Sequence, residues 1–95
     1  MSIQILAPQN DGVVVPPFPA RGTAASSGLS QVNGSLLQNG QVVFQADNNP
    51  ADVTGPHSSY ALTFSNITPG AYELRVENAG NSADAATVDI TVNQG

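Results

Sequence analysis

The sequence predicts an all-β sandwich built from seven to eight short antiparallel strands. Three observations carry that prediction. Apolar residues recur at every second position between turn clusters, the spacing of half-buried strands. Turn signals punctuate the chain about every 8–12 residues. Asn39-Gly40, flanked by Leu36-Leu37 and Val42-Val43, is the residue pair a type I′ hairpin turn favours. No stretch of ten or more residues carries apolar positions at three-and-four spacing without Gly or Pro interrupting it, so helices are not expected.

The elements follow in order. Ile3 and Ile5 alternate with Ser2 and Gln4, and after Asn10-Asp11-Gly12 come Val13 and Val15. Pro16, Pro17 and Pro19 make a stiff extended segment around Phe18. Proline cannot donate a ladder hydrogen bond, so this segment is expected at a sheet edge or a crossover. Ala20-Arg21-Gly22-Thr23-Ala24 places small residues on a core face. A turn at Ser26-Ser27-Gly28 leads to a strand around Val32 to Leu37. Beyond the Asn39-Gly40 hairpin, Val42, Phe44 and Ala46 alternate with Val43 and Gln45, which assigns Val42 and Phe44 to the core. Asp47 to His57 reads as an irregular polar loop. Tyr60, Leu62 and Phe64 define the next strand, and Tyr72, Leu74 and Val76 face inward against Glu73, Arg75 and Glu77. A loop at Asn78-Ala79-Gly80-Asn81-Ser82 precedes a last strand in which Val88, Ile90 and Val92 point inward.

Composition narrows the function classes. The 95 residues carry a formal charge of −5, with only two cations, Arg21 and Arg75, and no lysine. A nucleic-acid site needs a basic patch, which two separated arginines do not make; an anionic membrane surface is disfavoured for the same reason. No apolar run approaches the roughly 20 residues of a spanning helix. The chain has no cysteine, so neither a disulfide nor a thiolate metal site enters. Met1-Ser2-Ile3-Gln4-Ile5 lacks the charged and apolar regions of a signal peptide.

Few residues bear chemistry. His57 is the one histidine, and with Ser58 and Ser59 beside it in an extended chain the side chains point apart, so no Ser-His-Asp arrangement is expected. Asp47, Asn49 and Asp52 are weak calcium candidates. They offer three hard oxygens, but without the alternation or closing bidentate Glu of an EF-hand, so the plainer reading is a loop of Asx residues bonding their own backbone. Glu73, Arg75 and Glu77 on one face read as a solvated charge ladder worth roughly 0–1 kcal/mol per pair. Asn33-Gly34-Ser35 and Asn66-Ile67-Thr68 match the N-glycosylation pattern, which matters only in a eukaryotic secretory pathway.

Phe64-Ser65-Asn66-Ile67-Thr68-Pro69-Gly70-Ala71-Tyr72-Glu73-Leu74-Arg75-Val76 resembles the corner of bacterial immunoglobulin-like and fibronectin type III-like modules, where a Pro-Gly turn precedes a Tyr-x-Leu-x-Val strand. Asn78-Ala79-Gly80-Asn81 through Asp89-Ile90-Thr91-Val92 is similar to their ending, and Ile5-Leu6-Ala7-Pro8 with Arg21-Gly22-Thr23-Ala24 to their opening strands. The resemblance implies an all-β, immunoglobulin-like Greek-key β-sandwich of seven to eight antiparallel strands. Residues 1–95 are expected to form one domain. Asn39, Gly40, Pro69, Gly70 and Tyr72 are the expected structural positions, with the Tyr72 hydroxyl bonding back to the preceding backbone as a tyrosine corner. The function implied is a non-catalytic structural or display module: a spacer, adhesin unit or accessory domain of a larger extracytoplasmic or virion protein. The alternative is a binding module that meets a protein or glycan through Asp47 to His57 and Asn78 to Asp84. No cofactor, no nucleic acid and no membrane insertion are expected, and the isolated chain is expected to be a monomer.

Overall fold

The computed structural model of the chain describes residues 3–25 and 30–94; the Ser26-Ser27-Gly28 turn and Ser2 lie outside them. The described residues form nine strands and no helix: β1 (Ile3–Ala7), β2 (Gly12–Val14), β3 (Phe18–Ala24), β4 (Gln31–Gln38), β5 (Gln41–Gln45), β6 (Ala51–Asp52), β7 (Ser59–Phe64), β8 (Gly70–Asn78) and β9 (Asn81–Val92). A smaller sheet has the order β1-β3-β7. A larger one has the order β2-β9-β8-β4-β5, with β6 pairing β4 as well. The chain changes sheet between β1 and β2, β2 and β3, β3 and β4, β6 and β7, and β7 and β8. Every pairing is antiparallel except β2 with β9, which is parallel.

The core lies between the sheets, where alternation puts it. Phe18, Ala20 and Ala24 of β3 and Tyr60, Leu62 and Phe64 of β7 face Val32 and Leu36 of β4, Tyr72, Leu74 and Val76 of β8, and Ile90 and Val92 of β9. Phe18 and Phe64 stack with ring centroids 5.3 Å apart. Gly34 of β4 is buried beneath the opposite sheet. A Cβ there would sit 2.7 Å from Leu62 Cδ1 and 3.2 Å from the Phe64 ring, so only glycine lets the two sheets approach this closely.

Four readings need correction. Val42 is not a core residue. The β4–β5 register slips between Leu36 and Leu37, so Phe44 opposes Leu36 while Val42 opposes Leu37. Val43 is the extra residue of a β-bulge, and a bulge breaks the two-residue period. Phe44 therefore turns inward, where it meets Tyr72 edge to face, and Val42 turns outward with 52% of its surface exposed. In β2, Val14 packs against the core while Val13 and Val15 are exposed. The Asn10-Asp11-Gly12 turn sets that phase. Asp11 holds φ 63°, its N–H donates to Asp89 O, and Asn10 Oδ1 accepts from Asp89 N.

Asp47 to His57 is not irregular. It contains β6, whose Ala51 and Asp52 pair with Val32 and Gln31, and a bridge from Thr54 to Ser59. Nor is Asn78–Ser82 an open loop. β8 and β9 join through a tight turn at Ala79-Gly80, because Asn78 Oδ1 accepts from Gly80 N and Asn81 Oδ1 from Ala83 N. Such Asx turns let the ladder start at once.

Pro19 sits in β3, the middle strand of its sheet, yet in a stretch with one neighbour. β1 pairs β3 only from Arg21 onward, and Thr63, opposite Pro19, turns its N–H and C=O away from β3 toward Asn48 and Asp47. The Pro19 nitrogen thus faces a locally bare edge, the one setting in a sheet that suits it.

Candidate binding groove and the Asx segment

Segment 46–54 joins the two sheets along one flank, and its side chains act as substitute strand partners. β5 covers β4 from Ser35 to Gln38, and β6 covers it at Gln31 and Val32. Gly34 falls in the gap. There the Asn49 side-chain amide bonds both sides of its peptide, Oδ1 accepting from Gly34 N at 2.9 Å and Nδ2 donating to Gly34 O at 2.9 Å. Ala46 N donates to the same carbonyl. Asn48 does the equivalent for the outer edge of β7: its Oδ1 accepts from Thr63 N and its Nδ2 donates to Ala61 O, each at 3.0 Å. Asp47 adds its backbone N–H to Thr63 O and its carboxylate to the Ser65 hydroxyl. Asp52 Oδ1 accepts from Gln31 Nε2 at 3.0 Å. Asp47, Asn49 and Asp52, the calcium candidates, thus engage three different partners, on the far edge of the smaller sheet, on β4 and at the start of β4.

Against this segment lies a cavity of about 800 Å³, lined by Leu6, Ala7, Arg21, Asn48, Asp52, Thr54, Ser59, Tyr60 and Ala61 among others. Arg21 is exposed and its side chain makes no hydrogen bond or ion pair with the described residues. Arg75, by contrast, donates from Nη2 to Ser82 O at 2.6 Å and places Nε 3.6 Å from Glu77. Glu73 stands opposite Asp89 on β9, so the expected ladder is an Arg75–Glu77 pair tied to the β8–β9 turn. His57 is exposed in the turn before β7.

Two tyrosines fasten the sandwich. Tyr72 Oη donates to Thr68 O at 2.7 Å, which leaves the Thr68 hydroxyl, 2.9 Å away, to donate to Tyr72 Oη. Pro69 and Gly70 form the bend between them. Tyr60, from β7, reaches across β3 and donates to Gln4 O of β1 at 2.8 Å. Gly22 makes room for it: a Cβ there would overlap the Gln4 carbonyl and stand 2.5 Å from Tyr60 Oη. Burial pushes the Tyr60 phenol above its ordinary pKa, which keeps the donor proton in place. At the opposite turn, Asn39 and Gly40 both hold positive φ, 53° and 78°.

Sequence reasoning reads Asn48 and Asn49 as residues of a polar loop, with Asn49 also a weak calcium candidate, and does not single out an Arg21 groove or the Tyr60–Gln4 contact. The signal for the Asx pair was its place between two strands of different sheets. Nothing local marked Tyr60, whose partner is 56 positions away.

No family model matches the chain, and no curated protein matches it. Solved structures do. An engineered protein superposes with a TM-score of 0.59 at 17% identity, covering 98% of this chain and 20% of that one. InlP of Listeria monocytogenes superposes at 0.54 with 18% identity, covering 92% and 26%. The chain thus spans about a fifth and a quarter of those two proteins. The titin M3 domain superposes at 0.50 with 10% identity, covering 97% of this chain and 95% of that domain. These likenesses concern the fold: the chain is an immunoglobulin-like β-sandwich.

Proposed function

We propose that residues 1–95 form one non-catalytic structural and display domain, a spacer, adhesin unit or accessory module of a larger extracytoplasmic or virion protein. The observation that carries this reading is the employment of the polar side chains. Asp47, Asn48, Asn49, Asp52, Tyr60 and Tyr72 bond the fold's own backbone or a neighbouring side chain. Groups committed in that way stabilise a scaffold and are poorly placed to move protons or bind a metal. The test is incubation of the folded chain with ester, glycoside and peptide substrates. Turnover no higher than the blank is expected; turnover abolished by His57→Ala would overturn the reading.

A second reading, capture of a protein or glycan partner, is favoured by the Arg21 groove. A guanidinium without a partner among the described residues, beside Ser59, Thr54 and the apolar Leu6, offers a fork for a carboxylate, and Leu6 a wall for an apolar group. Glycan-array and pull-down screening of the chain beside its Arg21→Ala variant tests it. Binding lost in the variant supports the groove, and binding retained places any partner elsewhere.

A further inference from the structure

We propose that the Arg21 groove takes an extended peptide segment of a protein partner, one that presents an aliphatic, an acidic and a basic side chain in that order. The proposal rests on the second reading above, in which the groove captures a partner, and it names that partner's chemistry. Arg21 is the one charged residue in the strands of the smaller sheet. Its cross-strand neighbours are Ala7 on β1 and Ala61 on β7, whose methyl groups have nothing to offer a guanidinium. The fork therefore stands over small residues on the outer face, open to a carboxylate in bidentate fashion.

The chemistry changes in order across the groove. On the β1 side Leu6 exposes 57% of its surface. β3 brings Arg21, and β7 brings Ser59 and Ala61. Beyond β7 lies segment 52–54, joined to the β7 edge by the Thr54–Ser59 bridge, and it brings the carboxylate of Asp52. One Asp52 oxygen accepts from the neutral Gln31 amide, so the negative charge at that end is not cancelled. From β1 to this segment is three strand spacings, roughly 14 Å, and an extended peptide covers about 13 Å in four residue steps. Residues i, i+2 and i+4, which share one face of such a peptide, thus meet Leu6, Arg21 and Asp52 in turn. The same profile disfavours other occupants. A polyuronate or an all-acidic peptide would set a second carboxylate against Asp52, in a chain already at −5. A neutral glycan finds no aromatic face, since Tyr60 is 4% exposed and its hydroxyl is bonded to Gln4 O.

The test is an amide chemical-shift titration of the folded chain with acetyl-Leu-Ser-Glu-Ser-Lys-amide. Shifts centred on Arg21, Ser59 and Ala61 are expected, with a dissociation constant on the order of 0.1–1 mM because the site is open and the contacts are few. Glutamine in place of the peptide's glutamate should weaken binding about tenfold, and Arg21→Gln in the chain should do the same. A peptide ending in glutamate instead of lysine should bind more weakly, and Asp52→Asn should close that gap. Equal binding of the glutamate and glutamine peptides, equal binding of the two endings by the wild type, or tighter binding of trigalacturonate overturns the proposal. So does the absence of any shift at about 5 mM peptide. If the screen yields a partner that Arg21→Ala releases while this peptide causes no shift, the groove reading stands and the peptide chemistry falls.

Discussion

The two sheets treat their edges differently. In the smaller sheet both outer strands are held by side chains arriving from elsewhere. Asn48 supplies β7 with a substitute partner, and Tyr60 reaches over Gly22 to hold Gln4 of β1. In the larger sheet the gap over Gly34 is closed by Asn49, but among the described residues the outer sides of β5 and of β9 before Asp89 are left without a strand partner. Edges are commonly guarded by lysine; a chain with no lysine and 9% charged residues must use other means. Here amide groups take that role, and they secure only the edges they can reach.

That contrast can be broken where it is tightest. Gly22→Val should have the largest effect, because its Cβ overlaps the Gln4 carbonyl and displaces the Tyr60 hydroxyl, parting β1 from β3. A loss of about 3 kcal/mol is expected by chemical denaturation. Asn49→Ala removes both bonds to Gly34 and leaves its part-buried N–H unpaired, while the carbonyl keeps Ala46 N, a cost of about 2 kcal/mol measured the same way.

Smaller effects sharpen it. Tyr60→Phe strands the Gln4 carbonyl and should cost about 1 kcal/mol. It should also change the response to base. The folded chain holds the Tyr60 proton more tightly than the unfolded chain, whose phenol ionises near pH 10. This contribution is therefore fully present below about pH 10 and is lost as pH rises through the elevated folded value. Wild-type melting temperature should fall more steeply above about pH 10 than that of Tyr60→Phe. Parallel slopes would separate the phenol from the stability of β1. Asn48→Ala, at an exposed site, should cost only about 0.5–1 kcal/mol, but it bares the outer edge of β7. Concentration-dependent association of the variant, read by sedimentation, is the expected sign.

What was legible in the sequence follows the same division. The alternation of Tyr60, Leu62 and Phe64 and of Tyr72, Leu74 and Val76 translates directly into burial, because side-chain period is a local property of an extended chain. The all-β sandwich follows from such segments and their turns, and its immunoglobulin-like form from the resemblance around Pro69, Gly70 and Tyr72. The Tyr72–Thr68 contact spans four positions and the Tyr60–Gln4 contact 56; one is written in a short motif, the other only in the packed fold. Val42 was misplaced because a bulge leaves no mark on Gln-Val-Val-Phe-Gln, and alternation counted through Val43 gives the wrong face. Asn48 and Asn49 were read as loop residues because their bonds go to strands 13–15 positions away, beyond the range of any Asx turn.

The difference between the edges is measured most directly by amide hydrogen exchange, residue by residue. The Thr63 amide, bonded to Asn48, should be protected, while the outward-facing amides of β5 exchange rapidly. Equal protection of the two edges would contradict this account.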